Sequence, residues 1–153
     1  YPSLFMVYAI RLCFLYPNAN AILIFLAIVF GSDSMAYFSG MLFGKNNKGI
    51  VKCSPNKSIA GFVGGTVGIA LVMTILLIIF PNMFNTTPLK MFIIALPTAV
   101  FGTFGDLFES MLKRSAGVKD AGVVIPGRGG MLDCIDSLSI AIPIFTMLYE
   151  LLV

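Results

Sequence analysis

The sequence contains four long runs of apolar residues, each close to the length that a membrane-spanning helix requires. About 20 consecutive, predominantly apolar residues cross a bilayer as a helix. Four windows meet that length: residues 21–43, 59–80, 91–112 and 131–153. A fifth apolar stretch is shorter and contains Arg11. The sequence therefore predicts an all-α, polytopic integral membrane helix bundle with about four full transmembrane helices.

Composition supports a membrane protein and excludes several other classes. The chain is 58% hydrophobic and 11% charged, whereas soluble domains are about 45–50% apolar and about 25% charged. A net charge of +3, without a strip of basic and aromatic residues, argues against nucleic acid as a partner. The chain has no histidine and no Cys-x-x-Cys pair, which argues against a zinc site.

The chain divides into a short first segment and a membrane domain. It begins with Tyr1 and runs at once into apolar sequence, so we expect residues 1–20 to be a truncated membrane helix and a turn. Residues 21–153 form the predicted membrane domain, with polar loops at 44–58 and 113–130. These loops hold eight of the ten basic residues, and the positive-inside rule places both in the cytoplasm.

Acidic residues gather at the predicted cytoplasmic ends of two neighbouring helices. Ionisable groups inside membrane spans are costly and usually mark function. One set is spaced i, i+3, i+4 and i+7 and therefore shares a helix face; its members are Asp106, Glu109, Ser110 and Lys113. A second set repeats i, i+3 and i+4, with Asp133, Asp136 and Ser137. Two acidic faces are thus predicted to stand side by side.

Carboxylates that face each other repel unless positive charge lies between them. Mg²⁺ is held by a few carboxylates together with substrate phosphates. Lysine and arginine side chains in the second loop could bind phosphate oxygens, and its glycines would let backbone N–H groups approach closely. The sequence predicts a Mg²⁺ site for a phosphorylated substrate. The alternative is that these charges only pair with one another at the helix ends.

Two upstream segments add polar residues to the predicted site. Asp33 lies in "SDSMAYFSG", either as a functional acid within a span or as a capping residue at the interface. Ser54 and Lys57 lie in "CSPNKS", before the predicted helix 59–80, where Ser54 would cap that helix. A phosphate at the helix start would suit both the helix terminus and Lys57. The alternative for Lys57 is a role in topology alone.

Residues 110–136 resemble the signature of the phosphatidate cytidylyltransferase (CDP-diacylglycerol synthase) family. That signature reads Ser-x-x-Lys-Arg, four residues, Lys-Asp, then Pro-Gly-His-Gly-Gly, two residues and Asp-Arg-x-Asp. The positions that match are Ser110, Lys113, Arg114, Lys119, Asp120, Pro126, Gly127, Gly129, Gly130, Asp133 and Asp136. "SDSMAYFSG" and "SPNKS" resemble two further family segments, so the resemblance covers about residues 21–153.

The resemblance implies a reaction in which CTP and phosphatidic acid give CDP-diacylglycerol and pyrophosphate. It implies a Mg²⁺ cofactor, membrane lipid as a partner, and a site on the cytoplasmic face of a bacterial inner membrane. The catalytic residues would be Asp106, Lys113, Arg114, Asp133 and Asp136, with Asp106 and Asp133 as metal ligands. The substrate-binding residues would be Ser54, Lys57, Ser110, Lys119, Asp120, Arg128 and Asp33.

Several alternatives stay open on sequence alone. Arg128 and Cys134 stand where the family usually has His and Arg, so an inactive relative is one hypothesis. A related membrane lipid kinase or CDP-lipid synthase is another. An ion-coupled transporter would also use acids within spans, but it predicts acids spread through the bilayer depth. Small-residue pairs in "GFVGGTVG" predict close helix packing and allow a homodimer.

Overall fold

A computed structural model of the chain describes residues 2–44, 57–84, 86–118, 122 and 130–153. These residues form five α-helices and a short 3₁₀ turn, Pro81–Met83. The helices are α1 (Pro2–Leu15), α2 (Asn20–Phe43), α3 (Ile59–Ile79), α4 (Pro88–Ser115) and α5 (Met131–Leu152). The last four are long and apolar enough to cross a membrane, and α1 is a shorter apolar helix. The predicted all-α membrane bundle is confirmed, and the chain is an integral membrane protein.

The longest helix, α4, extends beyond its predicted bounds at both ends. It begins with Pro88 at its first turn, where the missing N–H of proline does no harm. It continues through Pro97 without a break. Its 28 residues span about 42 Å at ~1.5 Å per residue, longer than a hydrocarbon core of about 30 Å. Lys113 and Arg114 therefore belong to the last turn of α4, and the second polar loop begins later than predicted.

The start of α3 agrees with the predicted span, but its capping residue differs from the prediction. The helix begins at Ile59, and its N-cap is Ser58, whose side-chain oxygen accepts a hydrogen bond from the Gly61 N–H at 3.0 Å. The prediction that Ser54 caps this helix is wrong, because Ser58 directly precedes Ile59 and occupies the N-cap position. Lys57 thus lies directly before the cap, at the end of the first basic loop.

The helices pack in the spatial order α2, α3, α4, α5, α1. Between α2 and α3, a Cβ atom added to Gly61 or Gly65 would lie 2.9 Å from the carbonyl oxygens of Ala36 and Ser32, respectively. Only residues without a side chain allow the two backbones to approach so closely. The predicted close helix packing through these glycines is confirmed.

Large apolar side chains fill the centre of the bundle. Phe25 of α2 and Phe145 of α5 are buried, and their ring centroids lie 5.3 Å apart. Met73 and Ile94 bring α3 and α4 into the same core. The outward faces of the helices are also apolar, as expected where the surrounding solvent is lipid.

Most of the charged residues that the structure describes lie at the two ends of the bundle. At one end, which we call the polar end, the C-terminal parts of α2 and α4 meet the N-terminal parts of α3 and α5. At the opposite end Arg11 pairs with Glu150 at 2.7 Å, and the Lys90 ammonium donates to the Leu152 carbonyl oxygen at 2.6 Å. The helix ends that flank both predicted basic loops therefore lie together, as the sequence predicts.

Candidate functional site

A cavity of about 680 Å³ opens at the polar end between α2, α3 and α4. Three charged residues line it, one from each contributing region: Asp33, Lys57 and Asp106. We call these three residues the cavity cluster. The remaining wall is largely apolar and includes Met41 and Phe62. The cavity thus combines a charged patch with surfaces suited to hydrocarbon.

An ion pair crosses the cavity from α3 to α4. The Lys57 ammonium, just ahead of α3, contacts the Asp106 carboxylate of α4. Both side chains keep about a third of their surface exposed, 32% and 34%, so both can still meet a ligand. The Ser110 hydroxyl lies 3.5 Å from the other oxygen of Asp106, one helical turn further along.

A second group of charges lies where α4 meets the start of α5. We call Glu109, Lys113, Asp133 and Asp136 the junction cluster. The Lys113 ammonium donates to Asp133 Oδ1 at 2.5 Å, and the Gly130 N–H donates to Asp133 Oδ2 at 2.6 Å. Both oxygens of Asp133 therefore have partners, and one of these contacts caps the N-terminus of α5.

Close approach of the two helix backbones creates this junction. A Cβ atom on Gly105 would lie 2.6 Å from the Asp136 carbonyl oxygen and 2.9 Å from the Ser137 Cα. Since these neighbours are backbone atoms, no side-chain rotation would make room. Glycine at position 105 thus lets the acidic start of α5 lie directly against α4.

Two acids of the junction cluster are buried. Glu109 has no exposed side-chain surface, and Asp136 is 8% exposed. The backbone N–H of Ser137 donates to Asp136 Oδ1 at 2.5 Å. The Lys113 ammonium lies 3.6 Å from Glu109 Oε1. The cluster thus gathers three carboxylates around one ammonium group.

The structure separates residues that the sequence assigned to one helix face. Asp106 pairs with Lys57 at the cavity, whereas Glu109 and Lys113 point toward α5. Asp106 and Asp133 therefore contact different lysines. These ion pairs match the alternative in which the charges pair with one another, and a metal shared by Asp106 and Asp133 stays a prediction.

Other predicted site residues fall into two groups. Arg114 is exposed on the last turn of α4, and Asp33 is exposed at the cavity. Four predicted substrate-binding residues lie outside the described residues: Ser54, Lys119, Asp120 and Arg128. The segment that carries Gly127 and Gly129 lies outside them as well. Their proposed roles stay predictions.

Two further residues at the cavity were missed by the sequence analysis. Tyr37 lies one turn after Asp33 and is 68% exposed, and Thr103 lies one turn before Asp106. Helical spacing from the two acids could have identified both, because residues three or four apart share a face. Their side chains place hydroxyl groups on the helices that form the cavity wall.

The described acids do not form a closed metal cage. In the parts of the chain that the structure describes, no group of three or more His, Cys, Asp or Glu side chains is arranged to hold a metal ion. A Mg²⁺ ion that keeps waters and binds substrate phosphates needs only one or two protein carboxylates. Asp106 fits that requirement, since its carboxylate lines a cavity large enough for a ligand.

Comparison with known proteins agrees with the resemblance noted in the sequence. Residues 1–152 match the profile of the Cytidylyltransferase family. A phosphatidate cytidylyltransferase of Haemophilus influenzae is 46% identical over 125 residues, which cover 80% of this chain and 43% of the relative.

Two further relatives have the same name. The Thermotoga maritima protein is 38% identical over 137 residues, covering 88% of this chain and 50% of the relative. The Bacillus subtilis protein is 40% identical over 124 residues, covering 81% and 45%. The chain spans about half the length of the curated relatives it matches. Because the family profile matches almost its whole length, the chain belongs to the cytidylyltransferase family.

Proposed function

We propose that this chain carries the site of a CTP:phosphatidate cytidylyltransferase, with products CDP-diacylglycerol and pyrophosphate. The observation that carries the proposal is the cavity at the polar end, where the Lys57–Asp106 ion pair lies among apolar walls. A phospholipid with a phosphate headgroup needs both kinds of surface. The names of the bacterial relatives support the same assignment.

The proposed reaction joins two polyanions, so charge neutralisation is its main demand. A phosphate oxygen of phosphatidic acid attacks the α-phosphorus of CTP, and the bond from that phosphorus to the β-phosphate oxygen breaks. Lys57 would bind phosphate at the cavity, and Lys113 and Arg114 would bind phosphate at the end of α4. Fixed cations lower the repulsion between the reactants and hold them in line.

We further propose that Asp106 and Asp133 hold Mg²⁺ when substrate is present. When bound, the ion would neutralise phosphate charge and stabilise the leaving pyrophosphate. The Asp106 carboxylate would bind the ion from the cavity, and the Asp133 carboxylate would bind it from the start of α5. Asp136 and Ser110 would support these two carboxylates.

The proposed orientation places the polar end in the cytoplasm of a bacterial inner membrane. Basic residues concentrated in the two loops at this end support it, and CTP is a soluble molecule. Four acids lie on the helix segments near this end: Asp106, Glu109, Asp133 and Asp136. Asp33 lies near the middle of α2 and lines the cavity that opens at this end. That distribution favours the enzyme over an ion-coupled transporter. The homodimer stays a prediction, and Gly61 and Gly65 do not support it because they pack against α2 of the same chain.

One assay tests the proposal directly. Purified protein in detergent, given phosphatidic acid, CTP and Mg²⁺, is expected to release pyrophosphate. Asp106→Asn and Asp133→Asn should each abolish release while helix content stays unchanged. Glu150→Gln, at the opposite end, is the matched control and should keep its turnover. Near-normal turnover in either aspartate variant would show that the site is wrongly assigned, and ion flux without CTP consumption would favour a transporter.

A further inference from the structure

Glu109 is a buried acid to which the proposed reaction gives no role. Its side chain is fully buried, with Asp136 of α5 and Lys113 of α4 as its charged neighbours. A buried carboxylate beside a second carboxylate is costly unless a cation lies nearby. The Lys113 ammonium, 3.6 Å from Oε1, supplies that cation.

Helix geometry fixes the relation between Glu109 and Lys113. The two residues are four positions apart on α4 and therefore lie on one face, one turn apart. That face meets α5, because Gly105, four positions before Glu109, packs directly on the Asp136–Ser137 backbone. The packing of α4 against α5 thus places the Glu109 carboxylate on the buried side of Lys113, between the two helices.

Lys113 is held from both helices. Asp133 accepts its hydrogen bond from the α5 side at 2.5 Å, and Glu109 attracts it from α4 itself. A lysine side chain has many rotamers and loses much freedom when it is fixed. Lys113 is thus contacted from both helices, and with 16% of its side-chain surface exposed it is still reachable from outside.

We propose that Glu109 is a positioning residue that holds the Lys113 ammonium in place for a substrate phosphate. Glu109 does not touch the substrate, because it is buried behind the lysine. A charge that is already oriented needs no reorganisation when negative charge arrives. The identity of the phosphate rests on the proposed function, whereas the fixing of Lys113 follows from the two contacts alone.

Two substitutions separate this role from space filling. Glu109→Gln keeps the volume and removes the charge, whereas Glu109→Asp keeps the charge and leaves a small gap. If Glu109 holds Lys113 electrostatically, the aspartate variant will resemble the unmodified protein more closely than the glutamine variant does. If Glu109 only fills space or donates a hydrogen bond, the glutamine variant will resemble the unmodified protein more closely than the aspartate variant does.

Whether the Lys113 ammonium is held in its contacts is tested by its rate of reaction with a small amine-reactive reagent. The rate is quantified by peptide mass spectrometry in detergent. We expect Glu109→Gln to raise the labelling rate of Lys113 by at least about twofold, the lower end of the range for coupled neighbours. Glu109→Asp should raise it less. Lys57 is the internal control, since its partner is Asp106, and its rate should not change.

Two results would overturn the proposal. One is a Lys113 rate that does not change in Glu109→Gln, or that rises together with the rate of Lys57. The other is a smaller effect of Glu109→Gln than of Glu109→Asp. If the glutamine variant does not fold, the aspartate variant alone decides, because a change in Lys113 equal to that in Lys57 would exclude selective positioning.

Kinetics then connects the position of Lys113 to the reaction. We expect Glu109→Gln to lower kcat/KM for CTP by about tenfold, as small misplacements of a fixed group do, with Glu109→Asp between it and the unmodified protein. Labelling needs no CTP. If labelling follows the expected order but the unmodified protein releases no pyrophosphate, the proposed function fails while the positioning role stands.

Discussion

Substituting Gly105 tests whether the contact between α4 and α5 positions the charged site. In Gly105→Ala the new Cβ would lie 2.6 Å from the Asp136 carbonyl oxygen, whereas ordinary contacts begin at 3.4 Å. The start of α5 must therefore move away by about 0.8 Å, because the obstructing atoms are backbone and because packed interiors have little free space. Asp133 and its contact with Lys113 would move with it.

Gly102→Ala is the matched control. Gly102 lies one turn earlier on the same helix and also faces α5, but a Cβ there would lie 3.8 Å from the Ala141 Cβ. Both variants gain the same helix propensity, about 1 kcal/mol for alanine over glycine, so this contribution cancels in their difference. The difference in unfolding free energy between the two variants is then the cost of overpacking in Gly105→Ala, about 1–3 kcal/mol.

Thermal unfolding in detergent and pyrophosphate release together decide the outcome. We expect Gly105→Ala to unfold more easily than Gly102→Ala by that amount, and to lose up to about 10²-fold in turnover from displaced catalytic groups. Gly102→Ala should match or exceed the stability of the unmodified protein and keep its turnover. Equal stability and equal turnover of the two variants would refute the claim that backbone contact at Gly105 sets the site.

Three further predictions concern the charged residues. Removing divalent cations with EDTA should stop pyrophosphate release and added Mg²⁺ should restore it; undiminished turnover in excess chelator would exclude the metal. Lys57→Met should lower kcat/KM for phosphatidic acid, because it removes the cation that pairs with Asp106 and that would bind the substrate phosphate in the cavity. Lys90→Met at the opposite end should leave kcat/KM unchanged. Equal losses of kcat/KM in the two variants would contradict the placement of the site. A double-mutant cycle on Arg11 and Glu150 should give a coupling of only about 0.2–1 kcal/mol, since the arginine is largely exposed, and turnover should persist.

Much of the architecture could be predicted because apolar length is a strong signal. The four spans follow from windows of about 20 apolar residues, and the structure contains a helix at each of them. Helix ends were less certain, because polar residues such as Lys113 continue α4 beyond its apolar part. The cap of α3 was assigned to the wrong residue because both Ser54 and Ser58 precede its apolar run. The sequence alone does not show which of the two serines directly precedes the first helical residue.

The arrangement of the charges was harder to predict, because it depends on which neighbour each side of α4 meets. Asp106 and Glu109 are three residues apart, so their directions differ by about 60° around the helix axis. That difference is small on a helical wheel, but α4 packs between α3 and α5. Asp106 therefore contacts Lys57, whereas Glu109 lies against α5. Spacing along one helix cannot reveal this division, which requires the positions of the neighbouring helices.

The position of α4 between its neighbours explains how one helix can bring two different substrates together in the proposed reaction. Its cavity side presents Asp106 among apolar walls that suit a lipid, and its α5 side presents Lys113 where the second basic loop begins. The two groups lie on the same rigid helix within two turns, so their separation does not depend on loop conformation. Because α4 is longer than a bilayer's hydrocarbon core, its charged last turns can reach water while Asp106 stays close to the lipid. A site built on this helix would join a lipid phosphate held within the membrane to a nucleotide that arrives from water.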